Sequence, residues 1–256
     1  MDSLRLFVSV PVAGFRVAQA REYWETYSLP PPATVYGMLL SLVGEPDRLV
    51  HRGAELAVAL LSNPDLSVVL RTLWRVKEKN YWTDPTGKVH VVSATPKERQ
   101  PFLAWVASQG WPKPEFAIGP GLGANARPDF QELLSDVRLS VWIRPGADES
   151  RPILLERLAR ATSQPASVSR FGGLSLGEST HLVDEVRLWR NGDPAEGRLL
   201  EQHADGDLSL PVWPDHVGSI GTRWGQYRLA ERGPLPDPLP ESAWTPITPL
   251  EATDAR

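Results

Sequence analysis

Pro30-Pro31-Pro32-Ala33-Thr34-Val35-Tyr36-Gly37-Met38-Leu39-Leu40-Ser41-Leu42-Val43-Gly44-Glu45 is the stretch whose reading decides the fold. Each proline fixes its own φ and bars the residue before it from helical geometry, so the approach is extended. Thr34 is placed to cap a helix with its hydroxyl. Residues 35 to 43 are mostly apolar on every side, which predicts a short buried helix over 34–43. It is too short to span a membrane. Gly37 and Ser41, four apart, share one face and let something approach the backbone closely. Gly44 is a natural stop, because glycine enters the left-handed conformation without penalty. The same run also fits a plain core helix between two strands.

Outward from this helix, Leu4, Leu6, Val8 and Val10 alternate with Arg5, Phe7 and Ser9, a strand pattern. Residues 11 to 33 form a long connection holding Arg16, Arg21, Tyr23, Trp24 and Tyr27, and long connections are often functional. Glu55 to Leu61 is a mostly apolar and therefore central strand. Asn63-Pro64-Asp65 marks a turn, and Leu66 to Lys77 a third strand. Asp84-Pro85-Thr86-Gly87 is a strong turn, so residues 75 to 93 form a hairpin. Pro96 to Gln109 suits a helix with Phe102, Leu103, Trp105 and Val106 on its apolar side. Gly110 to Arg127 is rich in glycine and proline and is expected to be loop. Val137 to Ile143 alternates as a strand. Ser150 is a plausible N-cap for an amphipathic helix over Ile153 to Ala161, with Leu154, Leu155 and Leu158 inward. Leu182 to Trp189 is a further strand. The order strand, helix, strand, strand, strand, helix, strand points to a ferredoxin-like domain over 1–192, with an insertion at about 75–128. Residues 193–256, with nine prolines, predict a small β-rich appendage or covering layer.

With 256 residues, 41% apolar and 23% charged, the chain has the composition of a soluble globular protein with an adequate core. It contains no cysteine, which excludes disulfides and thiolate metal sites. No signal peptide and no apolar run of membrane length is visible, so the default expectation is the cytoplasm and no membrane. The net charge of −4 argues against binding nucleic acid by bulk electrostatics. It hides an asymmetry: residues 1–192 carry 22 Lys+Arg and 20 Asp+Glu, residues 193–256 only 5 and 11. Any surface that faces nucleic acid is therefore expected in the first part. Arginine outnumbers lysine 22 to 5, which suits phosphate contacts and base stacking but equally a GC-rich genome.

Three places can carry chemistry. Ser169-Arg170-Phe171-Gly172-Gly173-Leu174-Ser175-Leu176-Gly177-Glu178-Ser179 nearly fits a nucleotide-binding glycine loop. However, Glu178 stands where the lysine is needed and would repel phosphates, which excludes an NTPase. Glycine amides still make an anion nest, or a tight structural turn. Second, Arg71, Arg75, Lys77, Glu78 and Lys79 carry a local charge of +3 ahead of Tyr81 and Trp82. Cations that track phosphates, interleaved with rings that stack on bases, suit single-stranded RNA; a solvated strand edge is the alternative. Third, a metal-free cleavage site needs a base and a cation near a 2′-OH. His90 with Tyr81 and Lys88, or His181 beside the glycine loop, are candidates, though no motif demands it. None of the five histidines has ligand spacing, so neither a metal nor a cofactor is expected.

The stretch 30–45 resembles the signature of the CRISPR-associated protein 5 family, in the RAMP superfamily of RNA-binding proteins. There a strand leads through a phenylalanine-arginine pair to a proline-rich turn and a helix. Here these are Leu4 to Val10, Phe15-Arg16, Leu29 to Pro32, and Thr34 to Glu45. Leu176-Gly177-Glu178-Ser179 is similar to the family's glycine-rich loop before a hydrophobic strand. The resemblance covers roughly residues 4–190; residues 78–128 and 193–256 match only in position and character. It implies an α+β fold, with a ferredoxin-like (RRM-like) palm, an inserted β-hairpin thumb and a C-terminal β-rich part. It implies a non-catalytic subunit of a type I CRISPR surveillance (Cascade) complex, of type I-B-like character, that binds the 5′ handle of the crRNA and caps the backbone filament. The implied neighbours are a backbone RAMP subunit of the protein 7 family and a large subunit of the protein 8 family, with target DNA met only indirectly. The acidic C-terminal part would face protein. On this resemblance the RNA-binding residues are Arg16, Arg71, Arg75, Lys77, Lys79, Tyr81, Trp82, Lys88, Arg170, Gly172, Gly173 and Ser175. Some relatives process the precursor transcript as metal-free endoribonucleases, which is the alternative activity.

Overall fold

The computed structural model describes residues 3–17, 23–75, 78–93, 96–120, 125–147, 149, 151–170, 172–215 and 220–250. The elements are β1 (Leu4–Ala13), β2 (Tyr23–Trp24), α1 (Pro32–Leu42), β3 (Glu55–Leu60), β4 (Asp65–Arg75), β5 (Glu78–Thr83), β6 (Val89–Ser93) and α2 (Pro96–Ser108). They continue with β7 (Ala117–Pro120), β8 (Asn125–Arg144), α3 (Leu154–Ser163), β9 (Glu185–Leu188), β10 (Glu196–Gln202), β11 (Leu208–Trp213), β12 (Arg223–Leu229), β13 (Gly233–Pro234) and β14 (Thr245–Pro246). The chain divides into two compact units, Met1–Val69 with Gln131–Arg256, and Leu70–Phe130.

The first unit is built on one large antiparallel sheet with the order β11-β12-β10-β3-β8-β1-β9. Leu6 sits opposite both Val141 of β8 and Leu188 of β9, and Val58 sits opposite Val141. Leu6, Val8, Leu56, Val58, Leu139 and Val141 all point to the side where α1 and α3 pack, in one continuous apolar core. Period-two alternation thus places one face of every strand in that core. β1 runs to Ala13, and β8 extends well beyond the expected Val137 to Ile143 on its N-terminal side. The strand expected over Leu182 to Trp189 is confined to Glu185–Leu188. Residues from 193 onward, expected as an appendage or covering layer, bring β10 and β14 into direct pairing with β3 and so extend the sheet.

The helix at the decisive stretch begins earlier than expected. Pro31 is the N-cap and Pro32 the first helical residue, with no side-chain cap bond. Proline at this position costs nothing, because its missing N–H would be unpaired anyway. The cap assigned to Thr34 is therefore corrected: its own N–H donates to the Pro31 carbonyl at 2.9 Å. The exit follows the expected pattern. Gly44 has φ of +69°, its N–H donates to Ser41 O at 3.1 Å, and Glu45 N–H donates to Leu40 O at 2.9 Å. These two bonds satisfy terminal carbonyls in a Schellman arrangement. In α3 the cap lies outside the sequence reading: Ile153 is the N-cap, and the Glu149 carboxylate accepts from Leu154 N–H at 2.5 Å. Ser150 lies outside the described residues.

In the second unit β5, β6 and β7 form a small sheet in the order β6-β5-β7. Ala117–Pro120, expected as loop, is strand β7 because it pairs with β5. The hairpin turn at Asp84 is closed by its carboxylate. It accepts from Thr86 N–H, Thr86 Oγ1, Lys88 N–H and His90 Nε2. The Thr86 hydroxyl and then His90 hold Asp84 well below the ordinary carboxylate range.

Gly37 and Gly44 test the helix from both ends of the argument. Gly37 has open space where a β-carbon would go. Gly37→Ala is expected to stabilise the protein by about 0.5–1 kcal/mol, the usual helix-interior difference. At Gly44 a β-carbon would collide with the Ser169 carbonyl oxygen, in a left-handed backbone. Gly44→Ala is expected to destabilise by about 2 kcal/mol or more. Urea midpoints of the two variants should move in opposite directions.

Candidate functional site

The close approach at Gly44 brings the end of α1 against the start of the glycine loop, although more than a hundred residues separate them in sequence. Leu174 to Val183 folds back as a small hairpin. Val183 N–H donates to Leu174 O at 2.9 Å and Leu176 N–H to His181 O at 3.0 Å. Two contacts fasten it to the end of β1. Gly14 N–H donates to His181 Nδ1 at 3.1 Å. Gly177, with φ of +98°, stands so close that a β-carbon there would lie 2.7 Å from Gly14 O. Glu178, the residue that excludes an NTPase, accepts from the Gln131 side-chain amide at 2.7 Å.

Between helix and loop lies a groove of about 890 Å³. It is lined by Thr34, Gly37 and Ser41 of α1, by Arg170 and Ser175, and by Trp213 with its flanking prolines. The expected small-residue face of α1 is thus the open face of the groove. Arg170 and Gly172 are exposed, and Gly172 has φ of +78° with empty space around it. Gly173 is also exposed, and a β-carbon there would meet only the Leu182 side-chain tip at 2.9 Å.

A largely buried polar network holds the end of α1 in place. Arg157 donates to Glu45 Oε2 at 2.6 Å, to Val43 O at 3.1 Å and to His51 Nε2 at 3.0 Å. A guanidinium has no acceptor, so His51 Nε2 accepts and Nδ1 carries the hydrogen toward Glu149 Oε1 at 3.0 Å. Arg157 thereby places a cation at the carbonyl end of α1, where the helix dipole favours it. The Arg157 hydrogen bond also holds the Glu45 carboxyl below its ordinary value.

The remaining sequence-derived candidates fall elsewhere. Arg16 is exposed and stacks 4.1 Å over Trp24, but does not line the groove. Arg71, Lys79, Tyr81, Trp82 and Lys88 belong to the second unit. Arg71 lies 3.7 Å from the buried carboxylate of Asp129, so its guanidinium faces protein. Trp82 is buried among His90, Phe102 and Trp111, which corrects its assignment as a base-stacking ring. Tyr81 packs on Gly119, and Lys88 is exposed in the hairpin turn. Arg75 lies in β4, and Lys77 is outside the described residues. The cleavage candidates are not brought together. His90 pairs across the hairpin with Trp82 while Tyr81 pairs with Val91, so the two side chains leave opposite faces. His181 is spent on Gly14. Arg48, Trp213 and the His51–Arg157 network escaped the sequence reading; only the tryptophan between prolines at 211–214 signalled them.

On the opposite side of the sheet the aromatic rings are closed off by the chain's own arginines. Arg5 is stacked between Trp189 at 3.3 Å and Trp142 at 4.4 Å, and Arg187 covers Phe7 at 4.4 Å. Burial pulls the Arg5 pKa down to about 10.

Fold and groove together define a mixed α/β protein in which a helix and a glycine loop border one open channel. The chain is 42% identical over 233 residues to the CRISPR-associated protein Cas5 of Myxococcus xanthus strain DK1622, covering 89% of this chain and 90% of that protein. Among solved structures it is similar to a chain of a CRISPR RNA-guided surveillance complex, with a TM-score of 0.49, 13% identity, and 94% and 95% of the two chains covered. A structure described as a Cas protein gives a TM-score of 0.46 at 13% identity, covering 93% of this chain and 98% of that one. No family model matches. The chain belongs to the Cas5 family of CRISPR-associated proteins. Among the described residues, no helix is long and apolar enough to cross a membrane.

Arg157 gives the network a test. Arg157→Met is expected to destabilise by about 2 kcal/mol, through the groups it leaves unpaired. A lowered carboxyl pKa contributes stability above its unfolded value and loses it as pH falls. The variant should therefore lose less stability than wild type between about pH 5 and pH 3. Urea titrations at both pH values measure this, and parallel pH curves would count against the network.

Proposed function

We propose that this protein is a non-catalytic subunit of a type I CRISPR surveillance (Cascade) complex that holds the 5′ handle of the crRNA in the groove between α1 and the glycine loop. The carrying observation is the junction at Gly44 and Ser169, which makes one channel of two distant sequence signatures. An exposed glycine backbone at Gly172 beside the Arg170 guanidinium is what a phosphodiester backbone needs. Open small residues on the helix let the strand come close.

The palm reading is supported by strand order. Taken in chain order β1, β3, β8 and β9, with α1 and α3 as crossovers, the strands lie side by side as fourth, first, third and second. This is the ferredoxin-like, RRM-like arrangement. The closed sheet face, with Phe7 and Trp142 covered by arginines, favours RNA on the groove side. On this reading the unit Leu70–Phe130 is the thumb, which presses where the guide begins and caps the filament beside a protein 7 family subunit. The acidic C-terminal part meets a protein 8 family subunit. Base pairing then supplies target specificity, so DNA is met through the guide. On this reading the system is of type I, of I-B-like character, and the protein acts in the cytoplasm.

Fluorescence anisotropy with handle RNA over a salt series tests the reading. Arg170→Ala should weaken binding several-fold and lower the salt slope by about one. Wild-type protein with no preference for handle over scrambled RNA, or an unchanged slope, would overturn it.

A further inference from the structure

Part of the groove's lining, Pro211 to Pro214, comes from the C-terminal part of the chain. There Arg48 is fixed at three points. Its carbonyl accepts from Tyr36 Oη at 2.8 Å, its Nη1 donates to Pro214 O at 2.6 Å, and its guanidinium lies 4.7 Å from the Trp213 ring. Trp213 is only 4% exposed, and Tyr36 packs on it with ring centres 6.2 Å apart. The indole therefore offers little of its own surface to a ligand. Arg48 is half-buried and lines the groove.

A guanidinium is planar, weakly hydrated and able to stack on aromatic faces on both sides. With one side on Trp213 and its position set beforehand, Arg48 is a rigid platform that loses little freedom on binding. Arg48 and Arg170 line the same groove, so a strand whose phosphates lie on the glycine loop would bring a base to Arg48. We infer that Arg48, backed by Trp213, is a stacking platform for one unpaired nucleobase of the RNA held in the groove. The inference rests on the handle-binding reading. It adds a base contact that neither the glycine loop nor the charge pattern predicts.

The test uses the full chain and handle RNAs each carrying one abasic nucleotide, with anisotropy as readout. In wild type, one abasic position should weaken binding about tenfold, the loss of one stacked base. Arg48→Lys keeps the charge and removes the plane. It should show the same loss with intact RNA, no further loss with that abasic RNA, and an unchanged salt slope. Such non-additivity is the signature of a direct contact. The wild-type scan requires no variant to fold: if no single base matters, the platform is refuted. Equal abasic penalties in both proteins refute it too, as does unchanged RNA affinity with lost binding to protein subunits. Handle RNA that fails to bind wild type refutes the handle reading itself, whereas tight binding indifferent to Arg48 removes only the platform.

Discussion

The contact of Gly44 with the Ser169 carbonyl is the constraint on which the rest depends. Only a residue without a β-carbon, in a left-handed conformation, can end α1 while another segment's backbone presses against it. That one approach sets where the glycine loop begins relative to the helix. The groove exists because the two segments touch here and diverge beyond.

Everything around the contact restrains one of its two sides. On the helix side, Arg157 holds Val43 and Glu45, and His51 with Glu149 ties the following loop to the start of α3. On the loop side, His181 and Gly177 clasp Gly14 at the end of β1. These are buried polar groups with directional partners, which define positions more sharply than apolar packing does. The sheet beneath supplies the common frame, since β1 lies between β8 and β9 and all three present their core face to the helices.

The sheet also explains why the two faces differ. The helix side is apolar and bears the groove. The opposite side is finished with guanidinium groups lying on Phe7, Trp142 and Trp244. Arg187 is held by Asp193 and Glu185, and Arg144 by Glu241 and Glu55. Aromatic rings that would otherwise be open are covered by side chains of the same chain, so charge and aromatic content in this sequence do not by themselves mark a nucleic-acid surface.

Local chemistry was legible in the sequence. Proline geometry, apolar periodicity and glycine punctuation located β1, α1, β3, the hairpin and α3, because each depends on neighbours a few residues apart. The glycine loop and the open face of α1 were legible for the same reason. Errors arose where a distant partner decides the outcome. Ala117–Pro120 is a strand only because β5 lies beside it, and Trp82 is hidden only because Phe102 and Trp111 close over it. Arg71 turns to Asp129, and Arg48 becomes a groove residue only because Trp213, far along the chain, comes to rest beneath it. The sequence alone determined which segments could be helix, strand and flexible turn. The tertiary structure decided which charged and aromatic side chains are spent on one another and which remain for a partner, because that depends on separations in space that no local pattern encodes.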